Sequence, residues 1–291
     1  MDCVWFEEWR ALVEVGFWKM HGVGNDFVVI DNREGQIPED ELGKAAVKLC
    51  HRHFSVGADG ILYIYGSNVA DARMRIFNAD GSEAEMCGNG VRCFAKYCIE
   101  NGIIEKKKEL KVETLAGVKT LWLETKSGKV TSAKVDMGEY SLERRRIPIA
   151  GRGEFVNQDL NVDGKVYKVT CVSVGNPHCV TFVDDTDSFP VGTVGPKIEN
   201  HEKFPAGINA EFAKVLNRKE IKLRVWERGV GETLACGTGT CATVVAANIL
   251  GKVGNVCTVH LLGGDLLIEL RGKRIFMTGA AEKAFEGTAE L

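Results

Sequence analysis

The chain contains one stretch of sequence twice: residues 74–90 read MRIFNADGSEAEMCGNG, and residues 223–239 read LRVWERGVGETLACGTG. At one constant offset the copies share an arginine, a glutamate, a cysteine and two glycines. The matched residues are Arg75 and Arg224, Glu83 and Glu232, Cys87 and Cys236, Gly88 and Gly237, and Gly90 and Gly239. Chance similarity between apolar segments does not explain matches at these residue types. The repeat therefore predicts two similar halves around a pseudo-twofold axis, with the two cysteines facing each other across a cleft.

The sequence around each copy predicts many short strands and one helix directly after the cysteine. The helices are predicted over residues 91–100 and 240–250, each followed by a glycine stop signal. Segments bounded by turn residues predict strands at residues 27–30, 60–65, 72–77, 110–114, 120–125, 130–136, 167–174, 179–183, 211–216, 221–226, 257–262, 266–271 and 274–278. Residues 39–53 predict one further helix. This pattern indicates an α+β fold of two pseudo-symmetric domains, each a β-barrel-like shell around a central helix.

The repeat also sets the expected domain bounds. Residues 1–16 lie outside it as an N-terminal extension, in which apolar residues at helical spacing predict a short amphipathic helix. Residues 17–135 form the first predicted domain and residues 136–279 the second.

Composition favours a soluble globular protein that acts on a small molecule. The 291 residues are 45% hydrophobic and 26% charged, and the net charge of −3 gives no reason to expect nucleic acid. No apolar stretch is long enough to span a membrane, and we expect no signal peptide. The ten cysteines are therefore predicted to be free thiols in the cytoplasm. The chain has no C-x-x-C pair, and no metal site is predicted.

Cys87 and Cys236 each lie just before a predicted helix and within a C-G-x-G sequence. A helix N-terminus has unpaired N–H groups and a partial positive charge, which lower the pKa of a thiol from about 8.5. Glycines allow the N–H groups to approach an anion closely. The sequence thus predicts a thiol beside an anion-binding site in each half.

Two such thiols on opposite sides of one carbon are what inversion of a stereocentre requires. One cysteine would remove a proton as the thiolate, and the other would deliver a proton to the opposite face. Two helix N-termini directed at one carboxylate would stabilise the charge that grows as the proton leaves. Lys19 and Lys96 offer an amine for pyridoxal phosphate, but no phosphate-binding signature accompanies either, so no cofactor is predicted.

Further polar residues are candidates for the same cleft. His178 lies at a predicted strand start, and Glu227 precedes Cys236 by the same nine residues that separate Asn78 from Cys87. Amides suit a zwitterion, because they donate to carboxylates and accept from ammonium groups. The candidate amides are Asn25, Asn78, Asn89, Asn176 and Asn209. Arg228 provides a guanidinium for a second carboxylate.

Several segments together resemble the diaminopimelate epimerases, from about Phe17 to the C-terminus. They are KMHGVGNDFVVID, FNADGSEAEMCGNGVRCFAKY, SVGNPHCV, GINAEF and ERGVGETLACGTGTCA. The resemblance implies cofactor-independent interconversion of LL- and meso-diaminopimelate in lysine and cell-wall biosynthesis. It also implies that a C-terminal strand, about residues 280–291, returns to the first domain, and that the enzyme is a homodimer.

The resemblance implies a role for each candidate. Cys87 and Cys236 would be the acid–base pair, supported by His178 and Glu227. The implied substrate contacts are Asn25, Asn78, Asn176, Asn209, Glu227 and Arg228, with the backbone of Gly88, Asn89, Gly237 and Thr238 holding the carboxylate at the reacting centre. One departure is Gly60, where some members carry a glutamine near the substrate amine.

Three other functions are compatible with parts of the pattern. A racemase of the same fold with another amino acid as substrate would share the cysteines and differ at the contacts to the distal carboxylate. A thiol–disulfide or redox-sensing protein would use the cysteines but not the surrounding amides. A non-catalytic amino-acid-binding protein would not need two reactive thiols, and serine at both cysteines would leave its binding intact.

Overall fold

The computed structural model describes residues 13–291, so the amphipathic helix predicted near the N-terminus lies almost wholly outside the described residues. The first half contains β1 (Glu14–Gly22), β2 (Asn25–Asp31), α1 (Leu42–Cys50), β3 (Gly60–Tyr65), β4 (Ala72–Asn78), β5 (Glu83–Ala84), α2 (Gly88–Glu100), β6 (Glu109–Thr114), β7 (Gly117–Lys126) and β8 (Lys129–Glu139). Helix α1 is shorter at both ends than the helix predicted over residues 39–53.

The second half repeats this order after one additional strand. It contains β9 (Gln158–Val162), β10 (Lys165–Ser173), β11 (Pro177–Phe182), α3 (Val191–Glu199), β12 (Asn209–Asn217), β13 (Glu220–Glu227), β14 (Gly231–Thr233), α4 (Gly237–Ile249), β15 (Val256–Leu261), β16 (Gly264–Arg271), β17 (Arg274–Ala280) and β18 (Glu282–Glu290). Helix α3 and strands β1, β5, β9 and β14 were not predicted. No helix within residues 13–291 is long and apolar enough to cross a membrane.

The strands of the two halves pair in the same way. The second strand of the repeat is parallel to the third in each half, as β2–β3 and as β11–β12. Parallel pairs also join β4 to β6 and β13 to β15, and the remaining pairs are antiparallel. Each curved sheet encloses one helix, because α2 and α4 are buried along nearly their whole length. A helix that is buried on all sides belongs at the centre of a domain. The predicted α+β class, with a strand shell around a central helix in each half, is confirmed.

The two halves are joined edge to edge and exchange their final strands. Strands β8 and β17 pair antiparallel across the boundary. The chain then continues from β8 into β9, which pairs with β10 of the second half. It continues from β17 into β18, which pairs along β1 of the first half, from Glu14–Glu290 to His21–Glu282. The barrel of the first half therefore includes β18, which follows β17 of the second half. The barrel of the second half includes β9, which follows β8 of the first half.

The charged residues of the repeat form the same ion pair in each half. Arg75 donates from Nε to Glu83 at 2.7 Å, and Arg224 donates from Nε to Glu232 at 2.7 Å. Both pairs tie the strand before the cysteine loop to the short strand that leads into it. The matched sequence therefore builds two matched loops, which end at Cys87 and Cys236.

Candidate active site

The two repeated cysteines cap the N-termini of the two central helices. The sulfur of Cys87 accepts the N–H of Gly90 at 3.4 Å, and the sulfur of Cys236 accepts the N–H of Gly239 at 3.4 Å. Cys87 is half-buried, and Cys236 is 5% exposed. Each thiol therefore lies beside the unpaired N–H groups of a first helical turn.

The two helix N-termini meet across the boundary between the halves. A Cβ atom on Gly88 would lie 2.6 Å from Cε of Met277, and one on Gly237 would lie 3.3 Å from the same atom. Asn89 also crosses the boundary, donating from Nδ2 to the carbonyl of Ala235 at 3.5 Å. A side chain at either glycine would crowd Met277, whereas glycine leaves the backbone N–H groups of both helix ends accessible to an anion.

Asn25 links Cys87 to the polar groups of the first half. Its Oδ1 lies 3.5 Å from the sulfur of Cys87 and 3.3 Å from Nδ2 of Asn89. Its Nδ2 donates to Asp59 at 2.7 Å, and Asp59 is held in turn by Arg52 at 2.6 Å. Sequence reasoning did not select Asp59.

His178 and Asn176 form the corresponding polar side of the second half. Nε2 of His178 lies 2.8 Å from Oδ1 of Asn176, and Nδ2 of Asn176 donates to the hydroxyl of Thr238 at 3.2 Å. That hydroxyl lies 3.5 Å from the sulfur of Cys236. On its other side, Nδ1 of His178 lies 2.6 Å from Oε1 of Glu211. Glu211 lies in the GINAEF segment, but sequence reasoning assigned it no role.

Glu227 lies at the end of β13, on the side of Cys236. Its Oε1 accepts the hydroxyl of Thr233 at 2.6 Å. Burial raises the pKa of Glu227, and hydrogen bonds from Thr233 and Cys236 partly offset that shift. A carboxyl group with a raised pKa beside a thiol can accept and return a proton near neutral pH.

The remaining candidates, Asn209, Arg228 and Asn78, bond to groups other than the two cysteines. Asn209 is buried, donates to the carbonyl of Pro177 at 2.8 Å and accepts the backbone N–H of Arg228 at 2.9 Å. The guanidinium of Arg228 is exposed and donates to the carbonyl of Ala206 at 3.0 Å. The amide of Asn78 is exposed and donates to the hydroxyl of Ser82 at 3.0 Å. Within residues 13–291, no hydrogen bond joins Asn78 to another predicted site residue.

Gly60 has a structural reason to lack a side chain. A Cβ atom at this position would lie 2.5 Å from the carbonyl oxygen of Phe77. A glutamine here would require a different path of β3 relative to β4. The contact that some family members make from this position is therefore absent from this backbone arrangement.

The predicted lowering of the thiol pKa values is wrong for this structure. Burial raises the pKa of Cys87, and the N–H groups of Gly90 and Asn89 offset only part of the shift. Burial and the carboxyl group of Glu227 raise the pKa of Cys236 well above its usual range. Desolvation disfavours the thiolate more strongly than the helix N-terminus favours it. Burial therefore favours the protonated form of each thiol.

The arrangement suits proton transfer at a carbon beside a carboxylate. It offers two thiols, a carboxyl group and an imidazole around two helix N-termini that adjoin each other. Among residues 13–291, no group of three or more His, Cys, Asp and Glu side chains has the geometry to hold a metal ion. The chemistry that these residues can perform is acid–base catalysis with electrostatic stabilisation of an anion.

Comparison with known proteins finds one protein family along most of the chain. The diaminopimelate epimerase family model matches residues 17–143 and 170–284. The chain is 52% identical over 273 residues to the diaminopimelate epimerase of Pelotomaculum thermopropionicum, covering 93% of this chain and 97% of that protein. It is 45% identical over 279 residues to the diaminopimelate epimerase of Methanococcus maripaludis, covering 94% and 99%.

Two solved structures share the fold at low sequence identity. A hydroxyproline epimerase from Agrobacterium vitis superimposes with a TM-score of 0.72 at 14% identity, covering 96% of this chain and 92% of that one. A PhzF-family phenazine biosynthesis protein from Bacillus anthracis superimposes with a TM-score of 0.70 at 18% identity, covering 95% and 99%. The two-domain fold is thus shared by proteins with different names.

Proposed function

The chain belongs to the diaminopimelate epimerase family of isomerases, and we propose that it interconverts LL- and meso-diaminopimelate by a two-base mechanism that needs no cofactor. The observation that carries this proposal is the pair of cysteines on two helix N-termini that adjoin across the boundary between the halves. The reaction would serve lysine and peptidoglycan precursor biosynthesis. We also propose that the enzyme is a cytoplasmic homodimer.

The reaction begins when one cysteine, as the thiolate, removes the Cα proton of the substrate. The other cysteine gives its proton to the opposite face of the carbon, so the configuration is inverted. The thiolate that remains and the thiol that was formed have then exchanged roles, and the reverse reaction follows the same path. The pair holds one proton between its two members and titrates as a unit.

The raised pKa of each thiol fits this role. A thiolate that is costly to form is a stronger base, and the Cα proton of an amino acid is a weak acid. Glu227 is close enough to Cys236 to raise the pKa of that thiol, and its carboxylate can take the proton of the thiol. The N–H groups of the two helix N-termini bind the substrate carboxylate and stabilise the charge that develops on it.

Asn25, Asn176 and Asn209 are proposed to hold the amino and carboxyl groups of the substrate, together with Glu227 and Arg228. Asn78 is proposed to join them from β4. The two lysines that could form a Schiff base are already paired: Lys19 with Asp26 at 2.6 Å, and Lys96 with Glu100 at 2.7 Å. This supports a mechanism in which the electron sink is the protein's own N–H groups.

The test is proton NMR of LL-diaminopimelate incubated with the reduced protein in deuterated water, with no cofactor added. Deuterium at an α-carbon together with the meso isomer is the expected result. Cys87→Ser and Cys236→Ser should each abolish the interconversion. The matched control is Cys93→Ala, because the equivalent position of α4 already holds Ala242, and it should retain activity.

Absence of exchange from a folded, reduced wild-type sample would refute the diaminopimelate assignment. Exchange at the α-carbon of a different amino acid in the same assay would instead identify a racemase with another substrate. Retention of exchange in both serine variants would refute the two-cysteine mechanism itself.

A further inference from the structure

A histidine and a glutamate form a buried polar pair in the second half, beneath the N-terminus of α4. Both side chains of His178 and Glu211 are 0% exposed, and Nδ1 lies 2.6 Å from Oε1. A Cβ atom on Gly239, in the first turn of α4, would lie 2.8 Å from that same Oε1 and 3.3 Å from the sulfur of Cys236. The pair therefore packs directly behind one of the two cysteines.

The first half builds the same place from apolar residues. Strand pairing sets Phe27 opposite Gly60 in one half and His178 opposite Asn209 in the other. Counting two residues along the neighbouring strand makes Leu62 the equivalent of Glu211. A Cβ atom on Gly90 would lie 3.1 Å from Leu62 and 3.5 Å from Phe27. Leu62 therefore contacts the first turn of α2 in the way that Glu211 contacts the first turn of α4. The fold therefore forms without a polar pair at this place.

The pair is also costly to bury. Oε2 of Glu211 is buried and has no hydrogen-bond partner within residues 13–291. A carboxylate removed from water costs several kcal/mol unless its oxygens are satisfied, and an apolar replacement is often neutral or stabilising. Stability alone gives no reason for Glu211 where Leu62 serves in the first half.

Each ring nitrogen of His178 faces an oxygen atom. Nδ1 faces Oε1 of Glu211, and Nε2 faces Oδ1 of Asn176, whose amide nitrogen donates to Thr238. Burial raises the pKa of Glu211, and His178 opposes that shift. When the Glu211 carboxylate is ionised, both oxygens accept and both ring nitrogens donate, which corresponds to an imidazolium. The titratable groups that face the pair are Cys179, Glu227 and Cys236, and none of them is a cation.

We propose that Glu211 is a positioning residue that holds the second proton on His178, so that Nε2 offers a transferable proton to the cleft. This inference rests on the proposed function. A neutral imidazole does not release its only proton under conditions in which proteins fold, whereas an imidazolium does. When Nε2 gives its proton to a thiolate, a thiol forms, and the imidazole keeps its Nδ1 proton hydrogen-bonded to the Glu211 carboxylate.

The first measurement is the protonation state of His178 in the free enzyme, by long-range proton–nitrogen NMR of the ¹⁵N-labelled protein. The spectrum of His178→Gln assigns the signals. In the wild type, both ring nitrogens should be protonated at neutral pH. In Glu211→Gln and Glu211→Leu, one nitrogen should lose its proton. Leu62→Met is the matched control, because it alters the equivalent place in the first half and should leave the His178 signals unchanged.

The second measurement separates a positioning role from a structural one. Glu211→Leu should lower kcat by about 10–100-fold, the usual effect of removing a partner that orients a catalytic group. Its thermal unfolding temperature should equal or exceed that of the wild type. In a His178→Gln background the same substitution should have little further effect, because Glu211 acts only through His178.

A neutral His178 in the wild type, or an imidazolium that persists in Glu211→Leu, would overturn the inference. So would additive losses of kcat in the double variant. The NMR result does not depend on turnover, so it distinguishes failure of this inference from failure of the proposed function.

Discussion

Two thiols inside helix α2 should make the stability of the fold depend on pH, and alanine at both positions should remove their share of that dependence. Cys93 and Cys98 are fully buried. Burial raises the pKa of Cys93 to about 12 and raises that of Cys98 further. The equivalent positions of α4 hold Ala242 and Ala247, which are also fully buried. The perturbation therefore copies a solution that the fold already uses.

The size of the effect follows from the difference between folded and unfolded pKa values. The unfolded chain ionises these thiols above about pH 8.5, whereas the folded protein keeps them protonated until the pH approaches about 12. Their contribution to stability is therefore fully present below the unfolded pKa and is lost as the pH rises toward the folded one. Between about pH 8 and about pH 10, each thiol lowers the free energy of unfolding by about 2 kcal/mol. The pair together accounts for about 4 kcal/mol.

Urea unfolding of the reduced protein at both pH values measures this difference. Between about pH 8 and about pH 10, the free energy of unfolding should decrease in both proteins. The decrease should be about 4 kcal/mol smaller in Cys93→Ala/Cys98→Ala than in the wild type. Any cavity left by the lost sulfur atoms costs the same at both pH values and cancels. Each single variant should recover about half of the difference. Equal losses in the wild type and the double variant would show that these thiols ionise within the folded protein, and the argument from burial would fail.

Three further predictions concern the cleft. Glu227→Gln should lower kcat/KM by roughly 10²–10⁴-fold, because an amide cannot take a proton from the thiol. Thermal unfolding should not change, because the amide oxygen still accepts the hydroxyl of Thr233. Near-normal turnover of this variant in the NMR assay would show that Glu227 does not take part in the mechanism. Gly239→Ala should lower kcat by roughly tenfold or more, because its Cβ would collide with Glu211 and with the sulfur of Cys236. Gly90→Ala should lower kcat less, because its Cβ meets only carbon atoms. A larger loss of kcat in Gly90→Ala than in Gly239→Ala would contradict the packing argument. The rate of alkylation of Cys87 and Cys236 in the free enzyme should rise about tenfold per pH unit through the neutral range, because the pKa of each thiol is raised. A mass-spectrometric time course measures this rate, and a plateau below about pH 8 would contradict the raised pKa values.

The sequence allowed the fold class and the place of both cysteines to be predicted, because the repeat marks equivalent positions independently of propensity. Helices α2 and α4 follow Cys87 and Cys236 as predicted, but they begin at Gly88 and Gly237, three residues before the predicted starts. The roles of the surrounding residues stay predictions, since position alone does not establish what a side chain does.

Helix α3 was missed because its own sequence argues against a helix. Gly192, Gly195 and Pro196 lie within its nine residues, and such residues have low helix propensity. The helix is stabilised by its packing against β13 and not by the helix propensity of its residues. A Cβ atom on Gly195 would lie 2.5 Å from Cγ of Trp226, so glycine is required for this close approach. Close approach between distant segments cannot be inferred from a local pattern.

The thiol pKa values could not be predicted because two opposing effects act on them. The helix N-terminus is visible in the sequence, whereas the degree of burial is a property of the assembled core. Glu211 was missed for a related reason. It is one charged residue in an otherwise apolar strand segment, and its signal lies in the comparison with Leu62, which required the register of β3 and β12.

The two helix N-termini have the same backbone geometry but different charged neighbours. Beside Cys87 lies Arg92, a fully buried guanidinium that donates to carbonyl oxygens of Gly88 and Ala280. Burial raises the pKa of Cys87, and the charge of Arg92 opposes part of that shift. The second half has Cys241 at the matching helical position. Beside Cys236 lie Glu227 and the buried pair described above, and both carboxyl groups raise the pKa of that thiol. A duplicated fold supplies two equal places for a thiol, and substitutions within one copy make those places electrostatically unequal. In a two-base reaction that runs in both directions, each thiol acts once as the acid and once as the base. Unequal surroundings therefore bias which of the two cysteines holds the proton that they share.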